Sequence, residues 1–275
     1  MTTHYRPLNK LMKMVNYPMR RIDTSLEVIR EGAYRSVIDC TNAYYQIPIK
    51  SEQRQYTAFA VEGMGSFEFI RMPFGLSTAP RTFQRKMDLL IQLLKKQLRQ
   101  LELPAHWINY VHPYMDDWIV ATPTFEIHLQ VLKILFQIFR EVGLLIKREK
   151  CKFCVSAMKY LGFIIKGNEL HPDPEKLSAI KDYSEPTTKK QLRRFLGMVN
   201  WYRRHTKMIA KIQGPLTSMT SEKAEWKWGP EQITAFNNIK ELLLNAPALT
   251  VPDYNLPFIL YTDACDTGIG AVLTQ

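Results

Sequence analysis

Apolar positions recur along the chain with two different periods, and the changes between them mark out strands and helices. The run Arg35-Ser36-Val37-Ile38-Asp39 is short, β-forming and closed by an acid, which predicts a strand over 36–39. After a polar turn, Tyr45 to Ile49 predicts a second strand broken at Pro48, and Phe67 to Ile70 a third that runs into Met72-Pro73-Phe74-Gly75. From Ser77 or Thr78 the period becomes helical: Phe83, Met87, Leu90, Ile91, Leu94, Leu98 and Leu101 define the core face of a long helix. A second long helix is predicted over 125–143, with Leu129, Leu132, Phe136 and Phe139 facing inward and Gly143 at its end. Strands alternating with two such helices predict one antiparallel sheet backed by helices, an α+β arrangement.

Shorter signals fill the rest. Residues 24–31 read as a helix capped by Thr24 or Ser25 and ended by Gly32; Leu144 to Ile146 and Phe153 to Val155 read as strands. Tyr160 to Ile165, followed by Lys166-Gly167-Asn168, reads as a hairpin. Asp173 is an N-cap with Pro174 at the first helical position, and Leu177, Ile180 and Tyr183 form the apolar face behind it. A further helix starts near Thr187 or Thr188; if continuous, it would place Lys189, Arg193, Arg204, Lys207 and Lys211 on one basic stripe suited to the phosphates of a duplex. Residues 214–232 look like a connector, Ile233 to Leu244 like an amphipathic helix, and Phe258 to Thr262 like a strand delivering Asp263.

The run Trp107 to Val111 and the β-forming run Trp118 to Val120 flank Tyr114-Met115-Asp116-Asp117. Adjacent carboxylates repel, and one use for them is a hard divalent cation, which takes oxygen ligands. A solvated turn would explain Asp116 and Asp117 alone. Asp39, closing another strand, changes the balance, because three carboxylates at strand ends can hold two metals about 4 Å apart for in-line phosphoryl transfer.

Composition narrows the setting. A chain of 275 residues suggests two or three domains, and its formal charge of +11 favours a polyanionic partner such as nucleic acid. Of the four cysteines, only Cys151 and Cys154 have metal or redox spacing, and one pair does not complete a tetrahedral zinc site; ordinary reduced thiols are expected. No apolar run approaches the roughly 20 residues that span a bilayer, so no membrane partner is expected.

The ordered blocks YPMRRID (17–23), SVIDCTNAYYQIPI (36–49), FEFIRMPFGLSTAPRTFQR (67–85), YMDD (114–117), KCKF (150–153), YLGFII (160–165), QLRRFLGMVNWYRR (191–204) and YTDACDTGIGAVLTQ (261–275) resemble the reverse transcriptases, within them the gypsy-type (Metaviridae) LTR retrotransposon polymerases. The resemblance implies a right-hand polymerase: palm with incomplete fingers over 1–160, primer grip and helical thumb over 161–218, connector over 219–257, and the first strands of an RNase H-like domain over 258–275. It implies Asp39, Asp116 and Asp117 as catalytic and metal-binding acids, with two Mg²⁺ ions as cofactor and Mn²⁺ as an alternative. Tyr44 becomes the steric gate under the deoxyribose, Phe74 and Gly75 nucleotide contacts, and Met115 a neighbour of the primer end or nucleotide. Leu161, Gly162 and Phe163 become the primer grip, Lys189, Arg193 and Arg204 primer–template contacts, and Asp263 the first carboxylate of an RNase H site whose other acids do not occur here. No RNA-strand cleavage is then expected.

Expected partners are an RNA or DNA template, a DNA or RNA primer, deoxynucleoside triphosphates and other domains of a pol polyprotein. The expected location is intracellular, in a cytoplasmic particle or the nucleus. The first block, His4-Tyr5-Arg6-Pro7-Leu8-Asn9, has His where the family usually has Asp, and the basic finger residues that normally precede it do not occur, so the chain reads as an excerpt of a longer polyprotein. An RNA-dependent RNA polymerase shares the paired acids, but Tyr44 and the MPFG and LGF blocks argue against it. From another class, the alternative is a catalytically inactive nucleic-acid-binding remnant of a transposon.

Overall fold

A computed structural model describes residues 5–13, 16–18, 26, 29, 32–206, 208–250, 256–265 and 268–275. The helix expected over 24–31 lies largely outside these residues, as does Lys207. The chain divides into two compact units, Met1–Ser156 and Ala157–Gln275.

The first unit is built on a four-stranded antiparallel sheet. Its strands are β1 (Tyr34–Asp39), β4 (Val111–Tyr114), β5 (Asp117–Thr122) and β6 (Lys152–Val155), in the order β4-β5-β1-β6. A separate two-stranded ribbon pairs β2 (Phe59–Val61) with β3 (Gly65–Phe67). Besides the short N-terminal helix α1 (Arg6–Leu11), two long helices, α2 (Ala79–Gln100) and α3 (Phe125–Val142), share the sheet's core. Phe83, Met87, Leu90, Leu94 and Leu98 of α2 interlock there with Ile38, Trp118 and Val120 of the sheet and with Leu135 and Ile138 of α3. Each fully buried side chain of this kind contributes about 1.5–3 kcal/mol. Thr124 accepts from the Ile127 N–H at the start of α3, and Gly143 at φ +69° ends it, as a left-handed C′ residue does.

Four details depart from the periodic reading, the simplest being that Leu144 to Ile146 is no strand but a single bridge of Ile146 to Cys40. Tyr45 to Ile49 is no strand: Asn42 sits in the left-handed region and residues 43–46 wind into a 3-10 turn. That turn packs Tyr44 against Phe83 and Phe74, and Tyr45 against Phe69, so the aromatic pair faces neighbours that alternation along a strand could not reach together. The ribbon's second strand stops at Phe67, because the Phe69 N–H turns to the Thr57 hydroxyl. On α3 the buried stripe runs through Val131, Leu132, Leu135, Ile138 and Phe139, leaving Leu129 exposed; Leu101, past the end of α2, is exposed too.

In the second unit β7 (Ala157–Tyr160), β8 (Phe163–Lys166), β9 (Glu169–Pro172) and β10 (Leu249–Thr250) form an antiparallel sheet. Both the 161–162 and the 167–168 loops are two-residue turns, so the single predicted hairpin is two successive ones. Asp173 caps α4 (Pro174–Lys181) by accepting from the Glu175 N–H, and Thr188 caps α5 (Lys189–Trp201) the same way through Gln191. α6 (Pro230–Leu244) begins at a Gly-Pro pair read as connector, Pro230 taking the first helical position. Phe195 of α5 meets Phe236 of α6 with ring centroids 4.6 Å apart. The chain closes with the hairpin β11 (Ile259–Cys265) and β12 (Gly268–Thr274).

Candidate active site

β4 and β5 pair with Tyr114 opposite Asp117, so Met115 and Asp116 are the two residues of a tight hairpin turn. β5 also pairs with β1, and there Asp39 lies directly opposite Asp117. The sheet register therefore brings all three predicted acids to one edge. Met115 takes φ +52°, a left-handed conformation that costs a branched or bulky residue about 1–2 kcal/mol. Two contacts hold the turn there. The Met115 N–H donates to Gln84 Oε1 (3.3 Å), and the Cys40 N–H donates to the Asp116 carbonyl (2.9 Å).

The electrostatics follow from this crowding. Burial, then Asp39 and Asp116, push the Asp117 carboxyl up to about 6. Asp116 is also raised, by burial and then Asp39, while Lys150 acts in the opposite direction. Lys150 Nζ sits 3.3 Å from Asp39 Oδ2. Beside the acids, burial pushes the Cys40 thiol up to about 12.

Among the described residues, no group of three His, Cys, Asp or Glu side chains is already closed into a metal cage. The register gathers the carboxylates, but Asp39 is turned to Lys150. Their chemistry nonetheless fits a hard divalent cation. The set is all oxygen, Asp116 Oδ1 is buried without a hydrogen-bond partner, and burial, then the neighbouring carboxylates, raise the proton affinity of Asp116 and Asp117, which a bound cation would relieve. Cys151 and Cys154 are both free.

Tyr44 lies beside this edge, where burial and then Asp116 raise its phenol. Its ring is 4.9 Å from that of Phe74, which is 47% exposed, so the two form one aromatic wall. Gly75 at φ +97° lets the chain turn under that wall, and the Asn9 amide pins the bend by donating to the Gly75 carbonyl and accepting from the Ser77 N–H, both at 2.8 Å.

Three residues that sequence patterns left without a role shape the site. Gln84 is fully buried on the core face of α2, where an amide among apolar neighbours is the signal that it supports something. Gln46 accepts from the Leu145 N–H and donates to the carbonyls of Thr41 and Leu145, tying the Tyr44 turn to the segment after α3. Lys150 balances Asp39.

In the second unit Leu161 and Gly162 occupy the two-residue turn between β7 and β8, and Phe163 opens β8. The basic stripe is not continuous. α5 passes through Gly197 but ends at Trp201, so Arg204 lies in the following 3-10 turn and Lys211 on a separate short helix. Lys189 donates to the carbonyls of Ser221, Glu222 and Ala224, and Arg193 donates to that of Thr220. Lys189 and Arg193 thus spend donors on the fold, although Arg193 is itself exposed, as are Lys190 and Arg194 of the same helix. Asp263 is exposed on β11, opposite Gly270.

A four-stranded antiparallel sheet backed by two helices, with three acids at one end, defines the palm of a right-hand nucleic-acid polymerase. The family model described as reverse transcriptase (RNA-dependent DNA polymerase) matches residues 1–165, and one described as an RNase H-like domain found in reverse transcriptase matches residues 228–275. The chain belongs to the reverse transcriptase family. It is 31% identical, over all its length, to the Transposon Tf2-3 polyprotein of Schizosaccharomyces pombe, and 33% identical, over 98% of its length, to the retrovirus-related Pol polyprotein from transposon 297 of Drosophila melanogaster. Both are consistent with the gypsy-type resemblance. The chain spans 20% and 24% of these relatives. Its fold matches the foamy viral protease-reverse transcriptase in complex with double-stranded DNA at a TM-score of 0.80 and 25% identity, over 95% of this chain and 44% of that one.

Proposed function

We propose that this chain is the polymerase part of a retrotransposon polyprotein and carries out RNA-directed DNA synthesis. The observation that carries the proposal is the cross-strand pairing of Asp39 with Asp117 beside the Asp116 turn, in a chain of this family. The reaction is attack of a primer 3′-hydroxyl on the α-phosphate of a deoxynucleoside triphosphate, with pyrophosphate leaving. Asp39, Asp116 and Asp117 would hold two Mg²⁺ ions, which when bound supply Lewis-acid stabilisation of the charge that develops on phosphoryl transfer.

The chain's own residues supply the geometry. Tyr44, backed by Phe74, packs under the sugar and leaves no room for a 2′-hydroxyl. The Phe74-Gly75 bend and Met115 line the nucleotide's place, and the 161–163 turn seats the primer terminus. The similar foamy viral enzyme was captured on double-stranded DNA, which supports a duplex as the partner. Arg204, with Lys190 and Arg194, is assigned to its phosphates; Lys189 and Arg193 hold the loop that follows.

Primer extension on an RNA template with deoxynucleotides and Mg²⁺ tests this. Extension by the chain, abolished in Asp116→Asn while duplex binding persists, is the expected result. Duplex binding without extension, by this chain and by one lengthened at its N-terminus, would favour the inactive remnant.

A further inference from the structure

Tyr160 and Phe163 are paired across β7 and β8, leaving only Leu161 and Gly162 to reverse the chain. Both are left-handed, at φ +49° and +83°. A two-residue hairpin of this twist asks for positive φ at both positions, which suits Asn-Gly and Gly-Gly. Gly162 meets that demand freely. Leu161 does so at a cost of about 1–2 kcal/mol, and something in the structure must offset it.

The offset comes from the end of α5, 40 residues further along the chain. Trp201 Nε1–H donates to the Leu161 carbonyl (3.1 Å), and the Tyr202 hydroxyl donates to the Gly162 carbonyl (2.9 Å). The Gly162 carbonyl also accepts from the Asp173 N–H at 3.0 Å. The fit leaves little slack, because a Cβ on Gly162 would stand 3.0 Å from the Tyr202 oxygen and 3.4 Å from Trp201 Nε1. Phe163 is enclosed by the same helix end and the 3-10 turn after it: its ring stacks on Trp201 and His205 and meets Tyr202 edge-on. Tyr202 is only 3% exposed, whereas Trp201 keeps 45% of its surface open.

We propose that Trp201 and Tyr202 are positioning residues whose donated hydrogen bonds hold the 161–162 turn in the one shape that seats the primer's 3′ terminus. The inference rests on the reading of residues 161–163 as the primer seat. It adds that the thumb helix dictates the shape of that seat through two donors. Ring packing alone would need no donors, and this distinguishes the two roles. Burial and the Asp173 carboxylate push the Tyr202 phenol up to about 12, so its proton stays available for donation at neutral pH.

The test uses the full chain bound to a primer–template duplex carrying 2-aminopurine as the primer's last base. Three quantities are read: duplex Kd, terminal fluorescence, and kcat and KM for addition of one deoxynucleotide. Tyr202→Phe keeps the ring and loses the donor. Its Kd is expected to stay within about twofold and its KM within about threefold, while the terminal base brightens towards the frayed state and kcat falls about tenfold, since an error of about 1 Å at the reacting end costs up to a hundredfold. Trp201→Phe should act in the same direction, and the double variant by less than the product of the two, because both donors serve one turn. Melting curves of each variant guard against simple unfolding, with Tyr202→Leu as the packing-loss reference. Wild-type fluorescence and kcat in both Phe variants would overturn the positioning role and leave the seat standing. A wild-type complex whose terminal base fluoresces as in free duplex would remove the seat itself, and the proposal with it.

Discussion

Asp39 and Asp117 face each other directly across two antiparallel strands, a like-charged pair at a position where facing carboxylates destabilise the sheet. Lys150 relieves part of the repulsion from the Asp39 side. Asp117→Asn is therefore expected to stabilise the chain in EDTA, by about 1 kcal/mol or a few degrees in Tm, while abolishing extension. Mg²⁺ should then raise the Tm of the wild type and leave that of the variant nearly unchanged, since the ion stabilises only the state that binds it. A variant that melts below the wild type in EDTA would show that the pair is not under strain.

Tyr44 has its ring against Phe74 and its phenol near Asp116. Removing the ring in Tyr44→Ala opens the space where a 2′-hydroxyl would lie, and the kcat/KM ratio for deoxy- over ribonucleotide should fall by at least about tenfold. Tyr44→Phe keeps the wall and should keep the discrimination. Equal selectivity in the Ala variant would take the gate away from this residue.

How far these residues were legible depended on how local their reasons are. The Tyr114–Asp117 hairpin is written in a few adjacent residues, two acids followed by one β-forming run, and the α2 stripe in a period of one helix; the run before the acids did not show that residues 105–110 wind into a 3-10 turn and that the strand starts only at Val111. Asp173 with Pro174, and Gly143, announce helix ends through chemistry confined to a single turn. Gln84, Gln46 and Lys150 were not legible, because their partners lie 31, 99 and 111 residues away. The helical wheel likewise placed Lys189 on a face, but nothing within α5 reveals the carbonyls of a loop more than 30 residues on that take its donors.

Gln84 offers a sharp separation of positioning from binding. Gln84→Leu keeps the volume on α2 and leaves the Met115 N–H without its acceptor, at a cost of about 1–3 kcal/mol borne by an already strained turn. The turn should relax and carry Asp116 with it. A fall in kcat of about tenfold or more with unchanged duplex Kd is expected. Loss of duplex binding in step with kcat would point to general misfolding instead.

His128 gives the first unit a pH dependence of known sign. Its ring is fully buried between the Ser36 and Thr122 hydroxyls, at 2.7 and 2.8 Å, and burial lowers its pKa below the usual imidazole value. The unfolded chain takes up a proton near pH 6.5 while the folded chain resists it, so stability is fully present above about pH 6.5 and is lost as pH falls towards the folded-state value. The Asp117 carboxyl, raised to about 6, acts in the opposite direction as pH falls, so the ring's share is read as the urea midpoint of the wild type minus that of His128→Asn, which should decline over that window. In His128→Asn the part of the slope due to this ring should vanish, and an unaltered slope would assign the dependence to other groups.

The cations of α5 separate by what their donors already hold. Lys189 is committed to three carbonyls, so its charge serves the loop at 221–224, whereas Arg194 is exposed on the same helix. Each phosphate neutralised on binding B-form DNA contributes about −0.9 to the slope of log K against log salt. Arg194→Ala should flatten that slope by about one unit and weaken binding evenly across sequences. Lys189→Met should lower the melting temperature yet leave the salt slope within about 0.3 of the wild type, since a side chain whose donors stay on the loop carbonyls releases no counterion. A full-unit change in the Lys189 variant would return that residue to the duplex and require the loop to give it up on binding.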